Sequence, residues 1–273
     1  MQLSVIFTTY NSPLWLEKVL WGYQYQKFKD FEVIVADDGS TFETSDVIKK
    51  MQQHVDFPIR HVWHEDEGFR KCEILNKAIL ASNSDYLVFS DADCIPREDF
   101  LQVHYNTKEK NHFLSGGAIR LPMFLSSLIK PNDIFSQDAF SKKWLIKNGF
   151  KSSFVKNLKL GKNKSFAEIM NKITPTKATW NGGNASAWKK DILAVNGFDE
   201  RMKYGAEDRE FGERMMNNGI RNKQIRYTAV CIHLDHERSY VNEKDLNNNA
   251  AIRKETKMKR KTWTDFGIQK SDV

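Results

Sequence analysis

The chain has no apolar run near the ~18 residues that a membrane-spanning helix needs, and its mean hydropathy is −0.58. An integral membrane protein is therefore not expected; the reading is soluble or at most peripheral. Cysteine is scarce. Cys72, Cys94 and Cys231 stand far apart and form no CxxC pair, which argues against a zinc knuckle and against a disulfide framework. A reducing compartment fits that usage. No basic leader precedes the apolar stretch Leu3-Ser4-Val5-Ile6-Phe7 and no small-residue cleavage site follows it, so the stretch reads as a strand rather than a signal peptide.

What is there is ordinary globular usage: 273 residues, 40% hydrophobic and 28% charged, enough to bury one large α/β core. We expect one catalytic unit. The formal net charge of +7 is unevenly placed. Between Leu121 and Trp180 eleven lysines stand against only Asp133, Asp138 and Glu168, a surplus of eight that by itself exceeds the total. That segment, taken as 121–177, mixes its lysines with Phe124, Phe135, Phe140, Trp144, Phe150 and Phe154 and has no regular rhythm. It is expected to be a basic, aromatic-rich insertion or lid, and 241–273 a basic carboxyl-terminal tail.

Residues 1–120 alternate short apolar runs with amphipathic stretches, the pattern of strand–helix units that build a mostly parallel sheet. Strands are expected at Leu3 to Phe7, Glu32 to Ala36, Ile59 to Trp63, Asp85 to Ser90 and Phe113 to Ile119. Ser12 as cap and Pro13 in the first turn open a helix after the first of them. Ligands of such sheets collect beyond the carboxyl ends of the strands. There stand Thr8-Thr9-Tyr10-Asn11, Asp37-Asp38-Gly39-Ser40 and Asp91-Ala92-Asp93, which bring hydroxyls, acids and a small turn residue to one edge, as a nucleotide pocket requires.

Asp91 and Asp93 leave a buried strand close together, two hard oxygen ligands suited to Mg2+ or Mn2+ with diphosphate oxygens in the same shell. Taken alone, a D-x-D also describes a solvated acidic turn, and Asp-Gly-Ser a common turn. Gly68-Phe69-Arg70-Lys71 precedes a helical stretch carrying Ile74, Leu75, Ala78 and Ile79; two cations at a helix amino terminus meet diphosphate charge, or simply coat a surface. Glu207-Asp208 opens another helix, where acids also serve the helix dipole. Cys231-Ile232-His233-Leu234-Asp235-His236 follows an expected strand from Gln224 to Val230.

In their order and spacing, Val5-Ile6-Phe7-Thr8-Thr9-Tyr10-Asn11, Val33-Ile34-Val35-Ala36-Asp37-Asp38-Gly39-Ser40 and Phe89-Ser90-Asp91-Ala92-Asp93 resemble glycosyltransferase family 2 enzymes with a GT-A fold. Trp180-Asn181-Gly182-Gly183-Asn184, Asn196-Gly197-Phe198-Asp199-Glu200 and Tyr204-Gly205-Ala206-Glu207-Asp208-Arg209-Glu210-Phe211 resemble the acceptor half of chondroitin-polymerase-type and galactosyltransferase-type members. The resemblance implies an α/β GT-A (Rossmann-like) fold, a mostly parallel central sheet flanked by helices. It implies a nucleotide-sugar-binding half over 1–120 and an acceptor-binding and catalytic half over 178–240.

By the same resemblance, Thr8, Tyr10, Asp37 and Asp38 hold the nucleotide base and ribose. Arg70, Asn76, Asp91 and Ala92 meet the rest of the donor, and Trp180, Gly182 and Gly183 shape the sugar pocket or else serve as plain turn and packing residues. Asp91, Asp93 and His233 are the implied metal ligands, His233 matching better than His236, and a histidine ligand leans the metal toward Mn2+ (or else Mg2+). Asp208 is the implied general base, with Glu207 orienting the acceptor or donor sugar. An ordinary carboxylate pKa of ~3.9 would keep Asp208 ionised at neutral pH.

The activity so implied is inverting transfer of a hexose or N-acetylhexosamine from a nucleotide diphosphate donor, UDP-linked by preference, to a hydroxyl of a glycan or lipid-linked acceptor in surface polysaccharide biosynthesis. Two alternatives stand beside it. A nucleotidyltransferase acting on sugar phosphates lacks here its glycine-rich phosphate loop with a lysine near the amino terminus. A non-catalytic binder of anionic polymers would use the lysine-rich and aromatic middle. No nucleic acid partner is expected. For that middle, and for Arg253-Lys254 through Lys259-Arg260-Lys261, an anionic membrane surface, an anionic glycan acceptor and a solvated lid remain open. The expected location is cytoplasmic, peripheral at the inner face of the membrane.

Overall fold

The apolar runs near the amino terminus pair as parallel strands, β1 (Leu3–Thr9), β2 (Phe31–Asp37), β3 (Ile59–Trp63) and β4 (Tyr86–Asp91), in the order β3-β2-β1-β4. The computed structural model describes residues 1–151, 153–161, 163–175, 179–236 and 241–270, and not the side chains at 155 and 156. The expected boundaries at 177 and 178, at 240 and at 273 lie outside the described residues. Beyond β4 the sheet continues through β8 (Asn184–Trp188), antiparallel to β4 and to β6 (His112–Ser115), and ends on β9 (Arg221–Gln224), parallel to β6. The result is the mostly parallel α/β sheet expected.

Side chains of a strand alternate between faces. Val5 and Phe7 of β1 join Leu16, Val19 and Leu20 of α1 (Pro13–Gln24) in one core, while Ile6 joins Ile74, Ala78 and Ile79 of α3 (Lys71–Ala81) in the other. Covering by helices on both faces is why these strands read as continuous apolar runs. Helix α1 starts at its proline, yet the Ser12 side chain makes no capping hydrogen bond; the fixed φ of Pro13 opens the helix without it. Helices α2 (Phe42–Gln52) and α4 (Phe100–Thr107) complete the amino-terminal half.

Two expected strands each divide. Phe113 to Ile119 becomes β6 and β7 (Gly117–Arg120), which part at Gly116, where a Cβ would collide with the Asn184 carboxamide. There the chain leaves the large sheet for a small one, β5 (Cys94–Pro96), β10 (Val230–His233) and β7 in the order β5-β10-β7. Gln224 to Val230 is not a strand: β9 ends at Gln224, and the amides of Thr228 and Ala229 turn back onto the Ile225 carbonyl at 3.1 and 2.8 Å before β10 begins. Ile225, Tyr227 and Ala229 are apolar because they are buried, not because they are extended.

Over its described part, 121–177 folds into α5 (Met123–Leu128), α6 (Pro131–Phe135), α7 (Lys142–Lys147), α8 (Phe154–Leu160) and α9 (Lys164–Ile173). Leu125, Ile134, Phe140, Leu145 and Phe150 sit in the same core as β1 and α1, so much of the segment is a packed layer; Phe124, Phe135 and Phe154 stay exposed. Downstream come α10 (Lys189–Leu193), α11 (Glu207–Asn217) and α12 (Glu243–Met258). Helix α12, within the expected tail, docks on α11 through polar groups: Thr256 Oγ1 donates to Glu210 at 2.8 Å and Arg253 pairs with Glu213 at 2.7 Å. No described helix is long and apolar enough to cross a membrane.

Candidate functional site

The parallel register sets Thr9 beside Asp37 and Thr8 beside Asp91, so three strand ends deliver their polar residues to one edge. Thr8 Oγ1 donates to Asp91 Oδ1 at 3.2 Å, and the Ala92 amide donates to the Thr8 carbonyl at 3.0 Å. At the β2 end, Asp37 accepts from the Ser40 amide at 2.8 Å and meets His61 Nε2 at 2.8 Å. Asp38 meets His64 Nε2 at 2.7 Å and accepts from the Arg70 amide at 3.0 Å; burial pushes its carboxyl up while His64 and Arg70 pull it down. The two carboxylates thus tie the Asp-Asp-Gly-Ser turn to β3 and to the loop that follows it. Gly39 makes that approach feasible: its φ is +91°, and a Cβ there would stand 2.6 Å from Asp66 Cα. Tyr10, exposed above the turn, donates its hydroxyl to Asp66 at 2.8 Å.

Of the two cations expected at the start of α3, the structure brings Lys71 to the centre, not Arg70. The Arg70 guanidinium is held by Glu67 at 2.8 Å, Glu73 at 3.3 Å and the Glu65 carbonyl at 2.7 Å. Half-buried Lys71 places Nζ 3.5 Å from Asp91 and 3.7 Å from Glu207. Burial alone would lower its pKa, but Asp91, Asp208 and Glu207 outweigh it and hold Lys71 charged, well above the usual lysine value. Asn76, expected at the donor, is buried; its amide donates to the Phe198 carbonyl and Glu200, both at 2.9 Å, and accepts from the Phe198 amide at 2.8 Å. It braces the Asn196-Gly197-Phe198-Asp199-Glu200 loop.

Asp93 lies just past β4, where the antiparallel pairing of β5 with β10 sets Cys94 opposite His233. His236 Nε2 comes within 3.0 Å of Asp93 Oδ2 and His233 Nε2 within 3.6 Å; both histidines arrive, and the one judged the poorer match is nearer. Burial would raise the Asp93 carboxyl, yet the hydrogen bond from His236 and the charge of His233 bring it below the usual value. Ligand atoms of Asp93, Cys94 and His233 lie within 4.8 Å of one another. A carboxylate, imidazoles and a thiol form a donor set that fits a divalent transition-metal ion. Asp91 stands two residues back with its carboxylate engaged by Thr8 and Lys71.

The side expected to take the acceptor has a cavity of about 410 Å3 whose wall includes Trp180, Asn181, Tyr204, Glu207, Asp208, Gln224 and Arg226. The Gly182 amide donates to Asp208 Oδ2 at 3.0 Å, while Oδ1 is buried without a partner among the described residues. A Cβ on Gly182 would stand 2.6 Å from Oδ1, and one on Gly183 2.9 Å from Asp91 Oδ2, so both glycines seat carboxylates. The ordinary pKa expected for Asp208 does not hold. Burial pushes it up to about 7, with Glu207 and Asp91 adding to the rise and Lys71 and the Gly182 amide opposing it. Glu207 accepts from the Gly205 amide at 2.8 Å. Ala206, just before α11, holds φ +69°, a strained value for a residue with a Cβ and one that strained sites share.

Trp180 is mainly a core residue, its ring centroid 4.7 Å from that of Phe211 and 5.2 Å from that of Phe89. Helix α11 is pinned in place by buried Arg214, which forks onto Glu210 at 2.8 to 3.0 Å and donates to the Gly197 carbonyl at 2.8 Å. Sequence reasoning missed Lys71 as the central cation, His61 and His64 behind the two aspartates, and Gln224 and Arg226 on the cavity wall. Arg226 was hidden by reading 224–230 as a strand, whereas Gln224 does end one.

Comparison with known proteins accords with this arrangement. The model of glycosyl transferase family 2 matches residues 4–170, and that of the N-terminal domain of galactosyltransferase matches residues 167–237. Chondroitin synthase of Escherichia coli is 27% identical over 233 residues, which is 80% of this chain but 32% of the relative, so the chain spans about a third of that protein's length. Among solved structures, S. aureus TarS residues 1–349 in complex with UDP-GlcNAc superposes with a TM-score of 0.63 at 17% identity, over 93% of this chain and 65% of that one. A mannosyltransferase from Pyrobaculum calidifontis in complex with GDP-Man and Mn2+ gives 0.57 at 20% identity, over 88% and 58% of the two chains. The fold is GT-A, and the chain belongs to glycosyl transferase family 2.

Proposed function

We propose that this protein transfers a hexose or N-acetylhexosamine from a nucleoside diphosphate sugar, UDP-linked by preference, to a hydroxyl of a glycan or lipid-linked acceptor, with inversion at the anomeric carbon. The observation that carries the reading is Asp208: a half-buried carboxylate whose Oδ1 has no partner among the described residues, on the wall of a cavity large enough for a sugar, with Lys71 between it and the strand-end acid Asp91. The mannosyltransferase and TarS structures hold nucleotide sugars, and the former Mn2+, which supports the same class of donor and a divalent ion here.

Asp208 Oδ1 accepts the proton of the acceptor hydroxyl as that oxygen attacks the anomeric carbon. The new bond forms on the face opposite the departing diphosphate, so the configuration inverts and no covalent enzyme intermediate is needed. Glu207, fixed by the Gly205 amide, orients the sugar, and Lys71 keeps the neighbouring carboxylates from repelling one another apart. Asp93, His233 and His236, with Asp91 beside them, would hold the divalent ion, which when bound supplies positive charge for the leaving diphosphate. Thr8, Tyr10 and the Asp37-Asp38 turn would frame the nucleoside.

Incubation with a panel of UDP, GDP and dTDP sugars and Mn2+ tests the proposal. Release of free nucleoside diphosphate from one donor is expected; pyrophosphate as the product would make the protein a nucleotidyltransferase, and no release from any donor would remove the transfer reading. Lys71→Met removes the cation that opposes Glu207 and Asp91 at Asp208, so the acid limb of the acceptor kcat/KM profile should move at least about one pH unit to the alkaline side. An unmoved limb would detach Lys71 from Asp208.

A further inference from the structure

Helix α9 has two unlike faces. Ala167 is buried, Asn171 donates to Thr228 Oγ1 at 2.9 Å and accepts from the Tyr227 amide at 2.9 Å, and Thr174 just beyond the helix reaches the Tyr227 hydroxyl at 3.3 Å. Those positions, four and three residues apart, form one stripe, and it is the stripe held by the protein. Phe166, Ile169 and Ile173, three and four apart on the far side, are 44%, 53% and 65% exposed. Three large apolar side chains in a row facing water lose the free energy that burial would return, so such a stripe marks a contact surface.

The charge around the stripe says what the contact is. Helix α9 carries Lys164 and Lys172 against the single acid Glu168, within a segment of eleven lysines and three acids. An exposed apolar stripe on a helix of a strongly lysine-rich segment is the pattern of a helix lying in the interface of an anionic lipid surface, apolar face in the acyl boundary and ammonium groups at the headgroups.

We propose that α9 docks this protein on an anionic membrane surface through Phe166, Ile169 and Ile173. The opposite face of α9 holds Tyr227 and Thr228, and Arg226 and Gln224 immediately before them line the cavity that contains Asp208. Docking therefore sets the wall of that cavity close to the headgroups, where a lipid-anchored acceptor would present its hydroxyl. Only this consequence rests on the transfer reading; the docking itself does not.

The test uses the whole chain and sedimentation with vesicles of phosphatidylethanolamine and phosphatidylglycerol (7:3), or of phosphatidylcholine alone. Wild type should partition at least tenfold better onto the anionic vesicles. The triple variant Phe166→Ser, Ile169→Ser, Ile173→Ser should lose at least tenfold of that binding, and Lys164→Glu with Lys172→Glu should lose binding to anionic vesicles alone. Both variants should keep wild-type release of nucleoside diphosphate from the donor without vesicles, which separates failure of docking from failure of the transfer chemistry. Wild type that ignores anionic vesicles, or that binds RNA or heparin in their place, overturns the proposal whatever the variants do. So does a triple variant that retains donor release and still sediments like wild type.

Discussion

Asp208→Asn is expected to lower transfer about 10²–10⁴-fold while leaving donor binding within a few-fold of wild type, the range typical for loss of a positioned general base. Asparagine keeps the shape of the side chain and can still accept from the Gly182 amide, but it cannot take a proton. The pH profile carries the stronger test. Asp208 is pushed to about 7 chiefly by burial, so wild-type kcat/KM for the acceptor should fall about tenfold per unit below that pH and level off above it. The variant should lack that limb. A full-rate Asp208→Asn enzyme, or a variant that keeps the limb, removes Asp208 from the base role.

The same shift has a stability consequence with a definite sign. A carboxyl raised from 3.8 to about 7 binds its proton more tightly in the folded chain than in the unfolded one. Its contribution is therefore fully present below pH 3.8 and is lost progressively as pH rises to about 7, where a buried charge must be tolerated. Asp208→Asn carries no charge at any pH, so without metal it should melt several degrees above wild type at pH 8, and the gap should narrow toward pH 5. Such a gap is the mark of a site arranged for chemistry at the expense of stability.

Asp93→Ala should weaken Mn2+ binding at least about 100-fold, since removing even an outer partner of a metal ligand costs about 10–100-fold. Electron paramagnetic resonance of free Mn2+ reads this without any turnover. Transfer should fall with it, and chelation of wild type should abolish turnover until Mn2+ is returned. His233→Ala and His236→Ala should each cost less, because the structure sets both imidazoles beside the same carboxylate oxygen, at 3.6 and 3.0 Å. Wild-type Mn2+ affinity in Asp93→Ala would place the metal elsewhere.

The amino-terminal half was legible because its signals are local. A strand buried on both faces must be apolar along its length, and its polar end must then be turn or site, so Leu3 to Thr9, Phe31 to Asp37 and Tyr86 to Asp91 announce both the sheet and its functional edge. Legibility failed where burial and extension part company. Ile225 to Ala229 is apolar without being a strand, and α12 hides polar Asn249 and Thr256 beneath a basic, weakly amphipathic sequence, so hydropathy showed a tail where a helix docks.

Side-chain choice between neighbours was out of reach for a related reason. Arg70 and Lys71 are adjacent cations, and only the seating of α3 against β1, β2 and β3 turns Lys71 toward Asp91 and Glu207 and leaves Arg70 among Glu67 and Glu73. His233 and His236 likewise read as rivals in one dimension, whereas the loop after β10 brings both to Asp93.

The sequence by itself determined that Asp37, Asp38, Asp91 and Asp93 stand at strand ends and that Glu207 and Asp208 open a helix, because period-two and helical patterns are carried by residues a few positions apart. Folding in three dimensions sets which cation meets those acids, how many histidines come up to Asp93, and that burial raises Asp208 to about 7 instead of ~3.9. The reason is physical: a pKa answers to everything within a few ångströms, and here Gly182, Lys71 and Asp91, up to 137 positions distant in the chain, are what Asp208 feels.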